Sequence, residues 1–146
     1  MGSKSNALEN SWLLLLFNNT NIANVGDATG LRGSSTAGSL YASLHTSSPG
    51  EAGDQTTNEI AYTSYARVAV ARSGAGWTVT TNSVVPAAAI TFPAGTGGSG
   101  TATDFGIGTA SSAAGVLLYY GTITPSIVCG NGITPQLSTA TSISED

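Results

Sequence analysis

The fold is decided in the segment 39–46, which reads SLYASLHT. Aliphatic side chains alternate here with polar or aromatic ones, so that Leu40, Ala42 and Leu44 lie on one side of an extended chain. A period of two residues is typical of a β-strand with one buried face. We therefore predict a half-buried strand, with His45 on the opposite face as a surface or interface side chain.

Strand and turn signals continue on the C-terminal side of this segment. Pro49-Gly50 predicts a type II turn, because proline presets φ at the second position and glycine accepts the positive φ of the third. The next strand signal spans Tyr62–Arg72, and a short glycine-containing connection leads from it to Trp77–Thr80. This short connection predicts that the two strands form a hairpin.

Further strand signals follow at intervals close to the 8–12 residues that are typical of a sandwich or barrel. They are Ala88–Phe92, Ala102–Ile107, Val116–Ile123 and Ser126–Val128. The predicted fold class is all-β, a single antiparallel β-sandwich or jelly-roll-like domain with one short N-terminal helix. In this division residues 1–25 form the helix or arm, 26–137 form the sandwich, and 138–146 form a polar C-terminal tail.

The N-terminal region carries the helix signal. Asn6 is a candidate N-cap, and Glu9 three residues later completes a variant of the capping box. Four apolar residues fall at helical spacing on one face: Leu8, Trp12, Leu15 and Leu16. We expect this face to be buried, either on the chain's own sheet or on a partner protein. The apolar run 12–17 is shorter than the roughly 20 residues of a membrane span and shorter than the apolar region of a signal peptide.

Composition limits the classes of function. Ala, Thr, Ser and Gly make up 78 of the 146 residues, and charged residues make up only 8%. Four basic residues against eight acidic ones cannot neutralise a phosphate track, so we expect no nucleic-acid partner. The single cysteine, Cys129, excludes a disulfide framework and is predicted to be a buried, inert thiol. A neutral surface rich in hydroxyl groups suits close packing in an assembly.

Residues suited to acid–base or nucleophilic chemistry are scarce. His45 is the only histidine, and no local pattern supplies it with a nucleophile or a carboxylate partner. The run 95–100 matches G-x-G-x-x-G, but a strand signal rather than a helix follows it, so we interpret it as a flexible connection or a tip loop. We therefore predict no catalytic residue, no cofactor and no metal site.

The acidic loop after the first strand is a candidate contact surface. Glu51, Asp54 and Glu59 could offer oxygens to a cation such as Ca²⁺, but their spacing matches no known calcium loop. We interpret the segment as a solvated loop. Together with Pro49, the residues Glu51 and Asp54 form our second candidate for partner binding, beside the helix face.

The two arginines of the second strand signal have separate roles. Arg67 and Arg72 are five residues apart, so on a regular strand they project to opposite faces and cannot form one basic patch. We expect each to pair with a carboxylate, for instance that of Glu59 or Asp104.

A family resemblance covers about three-quarters of the chain, from Leu40 to about Gln136. Its most specific elements are L-H-T-x-x-P-G-E, from Leu44 to Glu51, and Y-A-R-V-A-V-A-R, from Tyr65 to Arg72. These segments resemble a family of small virion structural proteins of tailed bacteriophages, which are commonly labelled tail or tail-fibre proteins. The resemblance implies a virion component without catalysis, and it brings no catalytic residues to this sequence.

The leading hypothesis for function is a capsid decoration, or cement, protein that oligomerises on the phage shell and stabilises it. The alternatives are a tail or tail-fibre-associated subunit and a host-surface carbohydrate-binding module that uses aromatic residues such as Trp77 or Tyr120. The expected partners are further copies of the chain, for example in a trimer, and the major capsid protein or tail subunits. We expect no membrane partner, synthesis in the host bacterial cytoplasm and a final location in the virion.

Overall fold

The computed structural model describes residues 3–26 and 29–145 of the chain. The helix α1 covers Asn6–Asn18. The strands are β1 (Ser39–His45), β2 (Val68–Ala71), β3 (Trp77–Thr80), β4 (Ser83–Pro86), β5 (Ile90–Thr91), β6 (Ser99–Gly108), β7 (Leu117–Gly130), β8 (Gln136–Leu137) and β9 (Ile143–Ser144). The strands pair in antiparallel sheets, and α1 is the helix of the described residues. The predicted all-β class with one short N-terminal helix is therefore confirmed.

The chain divides into two compact units that interleave along the sequence. The first unit comprises the described residues of 1–39, 71–88 and 139–146, and the second comprises 40–70 and 89–138. The first contains α1 and a three-stranded sheet in the order β3-β4-β9. The second is built on a four-stranded sheet in the order β2-β1-β6-β7 and a two-stranded sheet of β5 and β8.

The helix of the first unit packs on β3 and β4 through a narrow apolar stripe. Leu13 and Phe17 are fully buried, and the Phe17 ring meets the Trp77 ring edge to face with the centroids 4.8 Å apart. Ser5 is the N-cap, because its Oγ accepts a hydrogen bond from the Leu8 N–H at 3.3 Å. The prediction of Asn6 as the cap is therefore wrong by one residue, and Asn6 is the first helical residue.

Arg72 caps the other end of α1. Its Nε donates to the Leu16 carbonyl at 2.6 Å, and its Nη2 donates to the Leu15 carbonyl at 2.8 Å. Its Nη1 also donates to the Ala37 carbonyl at 3.0 Å. The last carbonyls of a helix lack partners within the helix and carry partial negative charge, so a guanidinium satisfies both needs. The prediction that Arg72 pairs with a carboxylate is wrong, since carbonyl groups take that place.

The predicted hairpin between the second strand signal and Trp77–Thr80 is also wrong. β2 lies beside β1, whereas β3 pairs with β4, which we did not predict as a strand. Thr81, with φ of 53°, lies in the tight β3–β4 turn. The segment predicted as a polar tail contains β9, which pairs with β4 through Val84 and Ile143. Backbone pairing thus orders part of this segment within the chain.

The sheet of the second unit buries its central strands. Leu44 of β1 lies opposite Phe105 of β6, and both side chains are buried. On the other side of Phe105 stands Gly121 of β7. A Cβ at Gly121 would lie only 2.9 Å from the Phe105 ring, so the absence of a side chain at Gly121 leaves space for the ring. Leu44 and Phe105 thus pack across two adjacent strands, and the third strand leaves room for the Phe105 ring at Gly121.

The glycine run 95–100 is held by backbone hydrogen bonds to other parts of the second unit. The Thr63 N–H donates to the Gly97 carbonyl at 3.0 Å, and the Gly95 N–H donates to the Ile133 carbonyl at 2.9 Å. A Cβ on Gly95 would collide with the Gly130 carbonyl, so close backbone approach requires glycine there. The strand β6 begins at Ser99, three residues before the predicted strand Ala102–Ile107, so the run leads into a strand and does not open a helix.

Within residues 3–26 and 29–145, the length and hydropathy of α1 fall short of what a membrane-spanning helix needs.

Candidate functional site

The sole histidine lies in a buried hydrogen-bond network of the second unit. His45 Nε2 lies 2.8 Å from Ser43 Oγ, and His45 Nδ1 lies 2.8 Å from the Thr57 carbonyl oxygen. A carbonyl can only accept, so Nδ1 carries the proton and Nε2 accepts from the serine hydroxyl. Both His45 and Ser43 are 0% exposed. The prediction that His45 is a surface side chain is wrong, because the segment after β1 folds back over this face.

This serine–histidine pair has the contacts of a nucleophile and its base, but both side chains are buried and His45 Nδ1 bonds to a backbone carbonyl. A carbonyl occupies the position where a carboxylate would stabilise an imidazolium. The β6 backbone also lies directly over the pair, since a Cβ on Gly106 would be 2.7 Å from both polar atoms. Because the side chains of Ser43 and His45 are both fully buried among the described residues, we interpret the pair as a structural contact.

Burial also sets the charge state of His45. Loss of hydration disfavours the imidazolium, and this effect lowers the pKa of His45 below its ordinary value of 6.5. The Thr57 carbonyl and the carboxylates of Glu59 and Asp104 oppose that effect, and Arg67 adds to it. His45 is therefore neutral at pH 7.

A second part of the network centres on Arg67. Its Nε and Nη2 donate to the two carboxylate oxygens of Glu59, each at 2.7 Å, in the bidentate geometry that is strongest for this pair. The same guanidinium donates to the carbonyls of Ala110, at 3.0 Å, and Ala113, at 2.8 Å. The expected pairing of Arg67 with Glu59 is confirmed, and it raises the pKa of Arg67.

Tyr65 connects the ion pair to the sheet. Its hydroxyl donates to Glu59 Oε1 at 2.8 Å and accepts from the Leu44 N–H at 3.1 Å. Burial raises the pKa of Tyr65, so the phenol stays protonated and keeps its donor. The network therefore fastens the polar segment after β1 to the sheet.

Gln55 is a network member that sequence reasoning missed. Its side chain is fully buried, and its Oε1 accepts from the Ala110 N–H at 2.9 Å. Its backbone N–H donates to the Ala114 carbonyl at 3.0 Å. Since glutamine is an ordinary residue of exposed loops, no local signal marks it as buried. Gln55 and Arg67 hold the 109–116 loop from two points.

The loop residues proposed for partner binding differ in exposure. Pro49 is buried, and Gly50 has a φ of 70°, as a type II turn requires of its third position. Asp54 is half-buried, and its Oδ1 accepts from the Thr56 hydroxyl at 2.6 Å and from the Thr56 N–H at 2.8 Å, contacts that lower the pKa of Asp54. Glu51 is exposed. Pro49, Glu51 and Asp54 thus differ in exposure to solvent, from buried to exposed. That they bind a partner stays a prediction.

The possible cation site is not formed by these side chains. In the described part of the chain, no three His, Cys, Asp or Glu residues come together as metal ligands. Glu59 is taken up by Arg67, as described above. Cys129 is buried, as predicted, and burial raises the pKa of its thiol, which keeps it protonated and unreactive.

The helix face proposed for partner binding lies partly in solvent. Leu8 is 44% exposed and Trp12 is 39% exposed, whereas Leu15 and Leu16 are half-buried. The helix packs on the chain's own sheet with a neighbouring stripe of residues, which includes the buried Leu13. Leu8 and Trp12 are therefore not buried on the chain's own sheet. Their burial on a partner protein stays a prediction.

The two aromatic residues named for carbohydrate binding differ in their exposure to solvent. Trp77 is 1% exposed, so it cannot stack on a sugar without unfolding its surroundings. Tyr120, on β7, is 39% exposed.

A family model described as "Podophage GP4 fiber I protein gp80" matches residues 3–142, which is nearly the whole chain. No curated protein matches the chain.

Proposed function

We propose that this chain is a non-enzymatic structural subunit of a phage fibre, because it belongs to the family of the podophage GP4 fiber I protein gp80. The single observation that carries the proposal is the extent of the match, from residue 3 to residue 142. It spans α1 and the strands β1 to β8, so the relationship concerns the fold as a whole rather than one motif.

The polar groups of the second unit support a structural role. His45, Arg67, Glu59 and Gln55 direct their hydrogen bonds inward, to other residues of the chain. A catalytic site instead directs polar groups at a space where a substrate can bind. The hydrogen bonds of the network therefore stabilise the loops of the second unit.

The N-terminal helix is the proposed attachment to a neighbouring virion protein. Leu8 and Trp12 lie one turn apart on α1, and the half-buried Leu15 and Leu16 continue the same face. Burying a leucine-sized side chain completely contributes about 1.5–3 kcal/mol, and the exposed fractions leave somewhat less than half of that for a partner to gain. The partner we propose is a tail subunit with an apolar groove.

Capsid decoration is the second candidate function. The low charge of the chain favours it, because neutral surfaces pack on a protein shell without desolvation of charged groups. The family description favours the fibre over the shell.

Fractionation of virions tests the proposal. Purified virions of the phage that encodes this chain are dissociated, tails with their fibres are separated from capsids, and both fractions are analysed by mass spectrometry. We expect the chain in the tail and fibre fraction. Recovery with the capsid at a copy number comparable to that of the major capsid protein would replace the fibre role with decoration. Absence from virions would contradict both.

A further inference from the structure

We infer that the first half of β7, Leu117–Thr122, pairs edge to edge with the same segment of a second copy of this chain. The inference deepens the proposed fibre role, on which it rests, by naming the surface through which copies associate. The pairing we infer is antiparallel about a two-fold axis, so that two four-stranded sheets become one.

The position of β7 leaves one of its edges open. It is the terminal strand of the order β2-β1-β6-β7, and in residues 3–26 and 29–145 no strand pairs with its outer edge. It is also the longest strand, with 14 residues. Every second residue of an edge strand directs its N–H and C=O outward, and these groups match another strand. The occupant that such an edge specifies is therefore a β-strand.

The outer edge of β7 lacks the usual protection in its first half. Natural edge strands avoid association by being short, by carrying charges, or by using proline and bulges. No charged residue occurs between Leu117 and Gly130. Residues 123–126, which include Pro125, bulge out of the pairing with β6, so they protect only the second half. The segment Leu117–Thr122 pairs regularly with β6 except for one irregularity at its start.

The opposite edge of the same sheet serves as an internal comparison. β2 has four residues, and Arg67 and Arg72 flank it. A strand this short offers few outward groups, as protected edges do. Because β2 is also shorter than β7, β2 of one copy could pair with only part of the β7 edge of another copy. A head-to-tail arrangement of copies would therefore leave part of the β7 edge unpaired. The partner of matching length is β7 itself.

The side chains of this edge favour contact between identical copies. Tyr120 is 39% exposed, Val116 just before the strand is 60% exposed, and Leu117 and Leu118 are half-buried. A two-fold antiparallel interface places a residue near the axis, such as Tyr120, beside its own counterpart, and like charges directly opposite each other would repel. This edge has only neutral side chains, so self-pairing meets no such repulsion.

Cross-linking tests the geometry. The variant Tyr120→Cys is treated with a short bis-maleimide, with Ala61→Cys as the control at another exposed position of the second unit. The unmodified chain controls for the buried Cys129. We expect covalent dimers from Tyr120→Cys alone. Equal cross-linking of both variants, or none from Tyr120→Cys, would overturn the inference.

Charge reversal tests the energetics. Tyr120→Lys and Tyr120→Glu should each weaken self-association at least tenfold in sedimentation equilibrium, and an equimolar mixture of the two should restore it. Ala61→Lys should have no effect. Restoration in the mixture cannot arise from unfolded variants, so it separates repulsion from loss of fold. An unchanged association constant in Tyr120→Lys, or a chain that is monomeric throughout, would overturn the inference.

The outcomes separate this inference from the proposed function. A chain present in the fibre fraction whose copies do not cross-link at Tyr120 leaves the function and removes the β7 interface. A chain that dimerises through β7 but is absent from virions leaves the interface and removes the function.

Discussion

Single polar residues connect the loops of the second unit to its sheet. His45 reaches the Thr57 carbonyl, and Arg67 reaches Glu59 together with the carbonyl groups of the 109–116 loop. Each contact is made by a side chain from a strand or its flank, and the acceptors are loop carbonyls and the carboxylate of Glu59. Because buried polar groups are costly without partners, removal of one member leaves the others unsatisfied.

The dependence of stability on pH follows from His45. Its pKa is lowered in the folded chain, while in the unfolded chain it returns to about 6.5, so the unfolded state binds the proton more readily. The free energy of unfolding should be at its full value above pH 6.5. As the pH is lowered below 6.5, the free energy of unfolding should decrease by at most about 1.4 kcal/mol per pH unit. The decrease should end once the pH is below the pKa of His45 in the folded chain.

Urea unfolding between pH 8 and pH 5 measures this slope. His45 is the only histidine, and carboxylates titrate mostly at lower pH, so His45→Gln should flatten the curve in this range. A variant that keeps the slope of the unmodified chain would show that another group causes it.

The Glu59–Arg67 ion pair gives a second prediction at this scale. The Arg67 side chain is 2% exposed, and Arg67→Met would leave the carboxylate of Glu59 without its bidentate partner. We expect a loss of about 3–5 kcal/mol, because breaking a buried pair leaves an uncompensated charge. The double variant Glu59→Gln with Arg67→Met should lose less than the sum of the two single losses. Additive losses in chemical unfolding would contradict a direct coupling.

The helix α1 illustrates how one element serves two surfaces. Its buried stripe, which includes Leu13 and Phe17, packs on β3 and β4, and Arg72 satisfies its last carbonyls. On another face of the helix, Leu8 and Trp12 lie in solvent. The packed stripe fixes the helix on its sheet, which lets the exposed residues form a preset surface.

Substitutions on the two stripes should separate stability from assembly. Leu8→Ser with Trp12→Ser should change the free energy of unfolding by less than about 1 kcal/mol, since surface substitutions have small effects. The same pair should reduce incorporation into virions. Leu13→Ala is the matched control and should cost about 2–5 kcal/mol, because it opens a cavity at a fully buried site. Normal incorporation of the Leu8 and Trp12 variant would contradict the attachment role of α1.

At the scale of the whole molecule, local patterns predicted the strands better than their pairing. The alternation in 39–46 predicted β1, and Trp77–Thr80 was predicted within its observed bounds. The pairing of β3 was missed because glycine in the 73–76 connection suggested a hairpin with the preceding strand. The partner of β4 on its other side lies near residue 143, and no local signal connects positions so far apart.

The candidate sites were harder to predict for the same physical reason. In the run 12–17 six successive residues are apolar, so helical spacing alone does not determine which of them face the sheet. His45 alternates correctly along β1, but the segment that covers its face comes from a later part of the chain. The motifs that carry the family resemblance contain His45, Tyr65 and Arg67, and the structure makes all three members of one buried network.

A cryo-EM map of the purified virion would locate the chain. We expect density that fits this chain in a fibre attached to the tail, with Leu8 and Trp12 of α1 in contact with a neighbouring subunit. Density for the chain only on the capsid lattice, or a fibre that lacks it, would show that the chain is not a fibre subunit.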